Sequence, residues 1–393
     1  MQDYILKKRL FWLLLITPIG WLVGFVLEIS GFKSISSYFS LISFLYLIST
    51  FVKLEEKIPP GIFLLTVYFG FNVLRFDGSL IKASRESIEF VLLLASLLLA
   101  KPILSRCTTL NIFKVKNQLL WGVTLFILIY ATTAIIAGPR VQEGIDKTRI
   151  YYDGFINSHA FSYYAILLGA LLLMLKARYY PILLIILSFI VGNRSCVIVL
   201  FFVALFLFEN YINKKVFSNF IKVTCYIAFL ALLYFLYHFL TGYYSITELQ
   251  DLFLNDENTE FTSGRTTLWY NSLIDFVFNG DVNQFIFGKG PDAFENLSMR
   301  LYNNTLWAHN DFVQVLYCYG LFGISAYFLL LFKFCKDIGN YTFFLFVLAI
   351  GSLNGFYKYG ALQIIFIMCF IQYAQRTILL YKKYNDSTTL KVS

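Results

Sequence analysis

Charge is what this 393-residue sequence has least of. Only 14% of its residues are charged, against 59% hydrophobic and 19% aromatic, and the mean hydropathy is +0.69. A soluble domain carries roughly 25% charge with about half its residues apolar, so an ordinary water-exposed globule is excluded. Proline is scarce, 7 in all, which leaves the apolar runs unbroken. The 6 cysteines form no disulfide framework. Cys196, Cys225, Cys318 and Cys369 fall in apolar runs, Cys107 and Cys335 in short basic connections, and the longest polar segment has none. There is no Asp-x-Asp pair for a nucleotide-sugar metal, no Gly-x-x-x-x-Gly-Lys loop, no Cys/His cluster and no Gly-x-Ser-x-Gly elbow. No metal and no cofactor are therefore expected. The net charge of +9 reads as basic loops beside a membrane, so nucleic acid is not an expected partner.

What is present is a series of apolar runs. Read as spans, they predict an all-α, polytopic integral membrane protein with about twelve transmembrane helices. The spans are expected near 10–27, 36–52, 61–74, 88–104, 118–137, 159–175, 180–192, 195–208, 222–240, 310–332, 341–356 and 360–380. The first is too long for a secretory h-region and lacks a small-residue cleavage site, so it reads as a helix. With the N-terminus in the cytoplasm, 20 of the 32 Lys and Arg fall on inner segments, the side that basic loops prefer. Both termini then face the cytoplasm. The chain 1–393 is one polytopic domain, and the 68-residue loop 241–308, between the ninth and tenth spans, faces outward.

That loop is not a plain linker. Thr262-Ser263-Gly264 offers capping residues, and Leu268, Trp269, Leu273, Phe276 and Val277 recur on one side of a short amphipathic helix, expected to lie on the outer leaflet. Gly288, Gly290 and Pro291 force a turn, and His309-Asn310-Asp311 opens the tenth span. A second outer loop, about 138–158, carries Arg140, Lys147 and Arg149.

No span places an Asp, Glu, Lys or Arg near its centre, where ion-coupled transporters and proton relays need one. The polar groups gather at outer ends instead: Arg194 between two spans, Arg265 in the large loop, His309 at the head of the tenth. A guanidinium fork suits phosphate oxygens, and several together would hold a diphosphate and stabilise it as a leaving group. The same arginines could equally contact lipid headgroups or snorkel. His309 has two readings as well: a base taking a proton from a hydroxyl, or a histidine packed at a helix N-terminus capped by Asn310 or Asp311. His159 and His238 lack comparable polar neighbours and read as structural.

Ser263-Gly264-Arg265 with Trp269, the Gly288-Lys289-Gly290 turn, and Ala308-His309-Asn310 before a helix with Gly320 and Gly323 form an ordered set. Upstream stand Thr148-Arg149, Gly154 and Asn157, then Asn193-Arg194-Ser195. Together they resemble the O-antigen polymerase and O-antigen ligase superfamily. The resemblance in layout covers the whole chain, and its motifs fall within about 148–200 and 261–325. It implies a GT-C-like, metal-independent membrane glycosyltransferase in a bacterial inner membrane, acting on undecaprenyl-diphosphate-linked glycans at the periplasmic face. It maps substrate-diphosphate contacts to Arg194, Arg265 and Arg149 and the family's loop histidine to His309. A chain-length regulator is an implied partner beside membrane lipids. Polymerase and ligase differ only in acceptor, a second lipid-linked repeat or the lipid A core. The Ser-Gly-Arg and Gly-x-Gly pattern favours polymerase. A repeat-unit flippase is the alternative of a different class.

Overall fold

The computed structural model describes residues 36–54, 59–74, 80–105, 116–143, 148–151, 158–177, 179–191, 196–208, 265–303, 308–353, 355–357 and 361–372, with single positions at 9, 12–14, 19–20, 23, 219, 223, 227, 234 and 374. Within these the chain is almost entirely helical. Helices α1 (Ser36–Lys53), α2 (Pro60–Leu74), α3 (Leu80–Ser105) and α4 (Lys116–Ala137) come first. Then follow β1 (Arg140–Glu143) and β2 (Thr148–Tyr151), α5 (Ser158–Met174), α6 (Tyr180–Ile190) and α7 (Cys196–Phe208). The later elements are α8 (Arg265–Phe278), α9 (Val282–Phe287), α10 (Ala293–Tyr302), α11 (Asp311–Ile338), α12 (Thr342–Leu353) and α13 (Ala361–Gln372). The expected first and ninth spans lie, apart from those single positions, outside the described residues.

The chain divides into two compact units. The first comprises Met1–Phe69, Ile88–Val203 and Phe356–Ser393. Its interior is aliphatic and aromatic on every side. Each residue of 161–172 in α5 and of 361–372 in α13 is buried, as befits helices apolar all round and enclosed by others. Phe161 of α5 stacks on Phe126 of α4 with ring centroids 5.0 Å apart. The backbone of Pro181 approaches Gly169, which seats α6 against α5. Outward-facing positions are equally apolar: Leu64, Trp121, Ile135 and Ile182 are each more than half exposed. Apolar surface of that extent marks contact with lipid or protein.

Two helices, Leu119–Ala137 and Asp311–Ile338, are long and apolar enough to cross a membrane. The others described as apolar are shorter, 10–17 residues. The expected second loop, about 138–158, contains the antiparallel hairpin β1–β2, with Arg140 opposite Tyr151 and Gln142 opposite Arg149. Helix α3, the expected fourth span, begins at Leu80, eight residues before its apolar run, because Lys82, Arg85 and Glu86 are good helix formers that extend it.

The second unit comprises Gly70–Ser87 and Ala204–Gly355. Its organising feature is a break in α11. Gly320 has φ 66° and ψ −165°, outside any helical region, and the two limbs on either side fold back on each other. Phe312 stacks on Phe328 with centroids 5.3 Å apart, and the Tyr327 hydroxyl donates to Asp311 Oδ2 at 3.4 Å. In a straight helix, residues sixteen apart would be about 24 Å apart. The expected tenth span, 310–332, is therefore two limbs, 311–319 and 321–338, the second about 27 Å long at 1.5 Å per residue. Helix α12 returns along the second limb, with Phe343 against Phe334 and Gly351 beside Asp311 and Phe312. Cys335, expected in a loop, is buried inside the second limb.

Candidate functional site

The break at Gly320 removes helical partners from the carbonyls of the preceding turn. The Gly288-Lys289-Gly290 turn replaces them. Lys289 N–H donates to the Tyr317 carbonyl at 2.9 Å, and Gly290 N–H to the Cys318 carbonyl at 3.1 Å. Backbone meets backbone here. A Cβ on Gly288 would overlap the Cys318 carbonyl, and one on Gly320 would overlap Gly288 N and the Ile286 carbonyl. Both glycines also have positive φ, which only glycine adopts at little cost. The turn expected at Gly288 and Gly290 is the clasp that joins the segment 265–303 to α11.

A charged cluster reinforces the clasp. Lys289 Nζ donates to Asp275 Oδ2 at 2.6 Å and to the Asp275 carbonyl at 2.8 Å. The Tyr317 hydroxyl donates to the same carboxylate oxygen, and Asn279 Nδ2 reaches Asp275 Oδ1 at 3.2 Å. The ion pair is 13% and 17% exposed. Burial opposes the charged carboxylate, yet the Lys289, Tyr317 and Asn279 hydrogen bonds and the Lys289 charge outweigh it, and Asp275 titrates below the ordinary carboxylate range. The Tyr317 ring is the hub: Phe294 meets it edge-on at 5.7 Å, Phe276 lies at 6.3 Å, and the Lys289 ammonium sits 5.6 Å from its centroid.

Helix α8 runs beside the first limb of α11, in the same direction. Its buried face is Thr266, Leu268, Tyr270, Ser272 and Phe276, so Trp269, Leu273 and Val277 of the expected stripe are only half-buried. The helix packs on protein, and the outer-leaflet surface was expected to receive it. Its first turn meets the head of α11, where the Trp269 indole N–H donates to the Ala308 carbonyl at 2.6 Å. Ala308 N–H in turn donates to Gln314 Oε1 at 3.2 Å. His309 follows with φ 51°, a left-handed conformation uncommon for a non-glycine residue. Asn310 then caps α11, its side chain accepting from the N–H groups of Phe312 and Val313.

Of the expected site residues, Arg265 and His309 stand at the starts of the two helices that the Trp269–Ala308 hydrogen bond joins. Arg265 opens α8, one turn before Trp269 on the same side, and His309 adjoins the carbonyl that Trp269 holds. Both are half-buried, and His309 Nδ1 is shut off from solvent. Arg149 lies in β2 of the first unit. Its side chain, that of His159, and all of Arg194 and His238 lie outside the described residues. Among the described residues no group of three or more His, Cys, Asp or Glu is placed to hold a metal ion.

Sequence reasoning missed Asp275, Lys289, Tyr317, Gln314 and the buried Asp311. One signal was available. Asp275 stands seven residues after Leu268, on the buried side of α8, and a charge in an apolar stripe requires a partner. No protein-family model matches the chain, and no curated protein is detectably similar to it.

Proposed function

We propose that this protein is a polytopic, GT-C-like membrane glycosyltransferase of about twelve spans that polymerises undecaprenyl-diphosphate-linked repeat units at the outer face of a bacterial inner membrane. Both termini face the cytoplasm in this reading, and the segment 241–308 faces outward. An acceptor hydroxyl oxygen attacks C1 of the donor sugar, and the C1–oxygen bond to the diphosphate breaks. The hydroxyl proton passes to the His309 imidazole, and undecaprenyl diphosphate leaves with its electron pair. Arg265 holds that diphosphate, because a fork of N–H donors matches its oxygens.

The observation that carries this reading is the convergence of two helix N-termini, those of α8 and α11, at Trp269 and Ala308. It supports a guanidinium and an imidazole sharing one polar recess, as a leaving-group clamp and a base require. The charge-poor span centres favour an enzyme over a flippase.

Deleting the gene and examining lipopolysaccharide on a gel tests the assignment. Core bearing a single repeat is the expected result. Uncapped core would assign the ligase reaction instead, and accumulation of repeat units on the cytoplasmic leaflet would assign a flippase. Reporter fusion at residue 280 should read external and at residue 110 cytoplasmic. A cytoplasmic signal at 280 would overturn the topology.

A further inference from the structure

Ala308 is fully buried, and both of its backbone polar groups are held by side chains from other parts of the second unit. Its carbonyl accepts from the Trp269 indole at 2.6 Å, and its N–H donates to Gln314 Oε1 at 3.2 Å. Gln314 is itself buried, with its amide nitrogen 3.6 Å from Cys318 Sγ. That second contact turns the amide oxygen toward Ala308. One residue on, the chain enters the left-handed region at His309 and leaves it at the extended Asn310, φ −150°. Non-glycine residues stay in that region only when their surroundings over-determine it. Two of those surroundings are the side chains on the Ala308 peptide groups.

We propose that Trp269 and Gln314 are positioning residues for His309: together they clamp Ala308 and so fix the backbone, and with it the imidazole, of the following residue beside the start of α8. The proposal rests on the glycosyl-transfer reading only for its catalytic consequence. The clamp itself is a statement about where His309 stands, and it is measurable with no substrate present.

Two variants from different elements test it. Trp269→Phe keeps an aromatic ring and loses the N–H donor. Gln314→Met keeps length and loses the acceptor. The full chain in native membranes is treated with diethyl pyrocarbonate, and modification is quantified by mass spectrometry at each of the three histidines. His159 and His238 serve as internal references. In both variants His309 should react several-fold faster relative to the references. The double variant should exceed neither single one by much, because both side chains act on one residue. In polymerisation assays, kcat should fall about 10- to 100-fold, the scale of a displaced catalytic group, while KM for the lipid-linked donor stays unchanged.

Unchanged relative reactivity of His309 in both variants overturns the clamp, whatever the polymer assay shows. An equal rise at all three histidines also overturns it, since that is general loosening. Faster His309 modification in both variants, with a wild-type protein that makes no polymer, keeps the clamp and removes the glycosyl-transfer reading. An unchanged kcat alongside faster modification removes His309 from catalysis and leaves the clamp as local architecture.

Discussion

Replacing Gly320 with alanine is the most severe single-methyl change the second unit offers. Two costs combine. The residue has φ 66° and ψ −165°, a region essentially restricted to glycine, where a Cβ is strained by about 1–3 kcal/mol. The added Cβ also overlaps Gly288 N and the Ile286 carbonyl. These are backbone atoms, so no rotamer change relieves the clash. The 286–290 turn must back away, and the bonds from Lys289 N–H to the Tyr317 carbonyl and from Gly290 N–H to the Cys318 carbonyl lengthen or break. Leaving a buried polar group unsatisfied costs about 1–3 kcal/mol. With both carbonyls left bare, a total of about 3–9 kcal/mol follows, a large share of the 5–15 kcal/mol typical of a folded domain. Limited proteolysis of Gly320→Ala in detergent should therefore cut within 265–303 at rates at least tenfold above wild type. Gly288→Ala should behave alike, and the double variant should be clearly less than additive because one contact is lost in either case. Wild-type protection of Gly320→Ala would refute the backbone-on-backbone clasp, and the fold-back of α11 with it.

Four smaller tests follow. Asp275 titrates below its ordinary range, so its stabilising contribution is complete above the unfolded value of about 3.9 and is lost as pH falls through the folded value. Protease resistance of 265–303 should decline on acidification below about pH 4 in wild type and stay flat in Asp275→Asn; parallel profiles would show that another carboxylate is responsible. Tyr327→Phe removes the hydroxyl on Asp311 and should cost about 0.5–1.5 kcal/mol in detergent unfolding; no measurable loss would mean that Phe312 on Phe328 alone closes the limbs. His309→Gln should abolish polymer at normal expression, a loss of about 10²–10⁴-fold, and wild-type polymer would remove His309 as the base. Arg265→Lys should fail to restore activity, since a point charge lacks the fork; full activity would reduce Arg265 to generic surface charge.

How much of this was legible in the sequence differs from residue to residue. Helices announce themselves by composition, so α1, α2, α4, α5 and α11 start within a few residues of their apolar runs. The amphipathic α8 was legible too, because a period near 3.6 survives in a polar loop. The hairpin β1–β2 was not, since four-residue strands of mixed polarity leave no periodic signature. The break at Gly320 was invisible for another reason. A lone glycine in an apolar helix is ordinarily tolerated, and nothing local distinguishes Gly320 from Gly323. What selects it is a turn thirty residues earlier whose two amide donors fit the carbonyls it frees. Trp269 and Gln314 were hidden likewise, because their partner is the backbone of Ala308, and backbone carries no sequence signal.

The single break also decides where the candidate site stands along the span. The α8–α9 turn carries Asn279, Asp281 and Asn283, all exposed, and α9 reaches the Gly320 end of α11, with Phe287 near Phe322 at 6.2 Å. Were 311–338 one straight rod, Gly320 would lie about 13 Å inside it, and on the membrane reading those polar side chains would sit in hydrocarbon. Polar and charged groups there are costly. Folding at Gly320 reverses the arrangement. The break becomes one end of the 321–338 limb, and the polar turn lies at that end. The first limb then runs back along the second, so Asp311 lies level with Tyr327, about 10 Å from the break. The head of α11 and the Trp269–Ala308 contact therefore stand beside the 321–338 limb rather than beyond its tip.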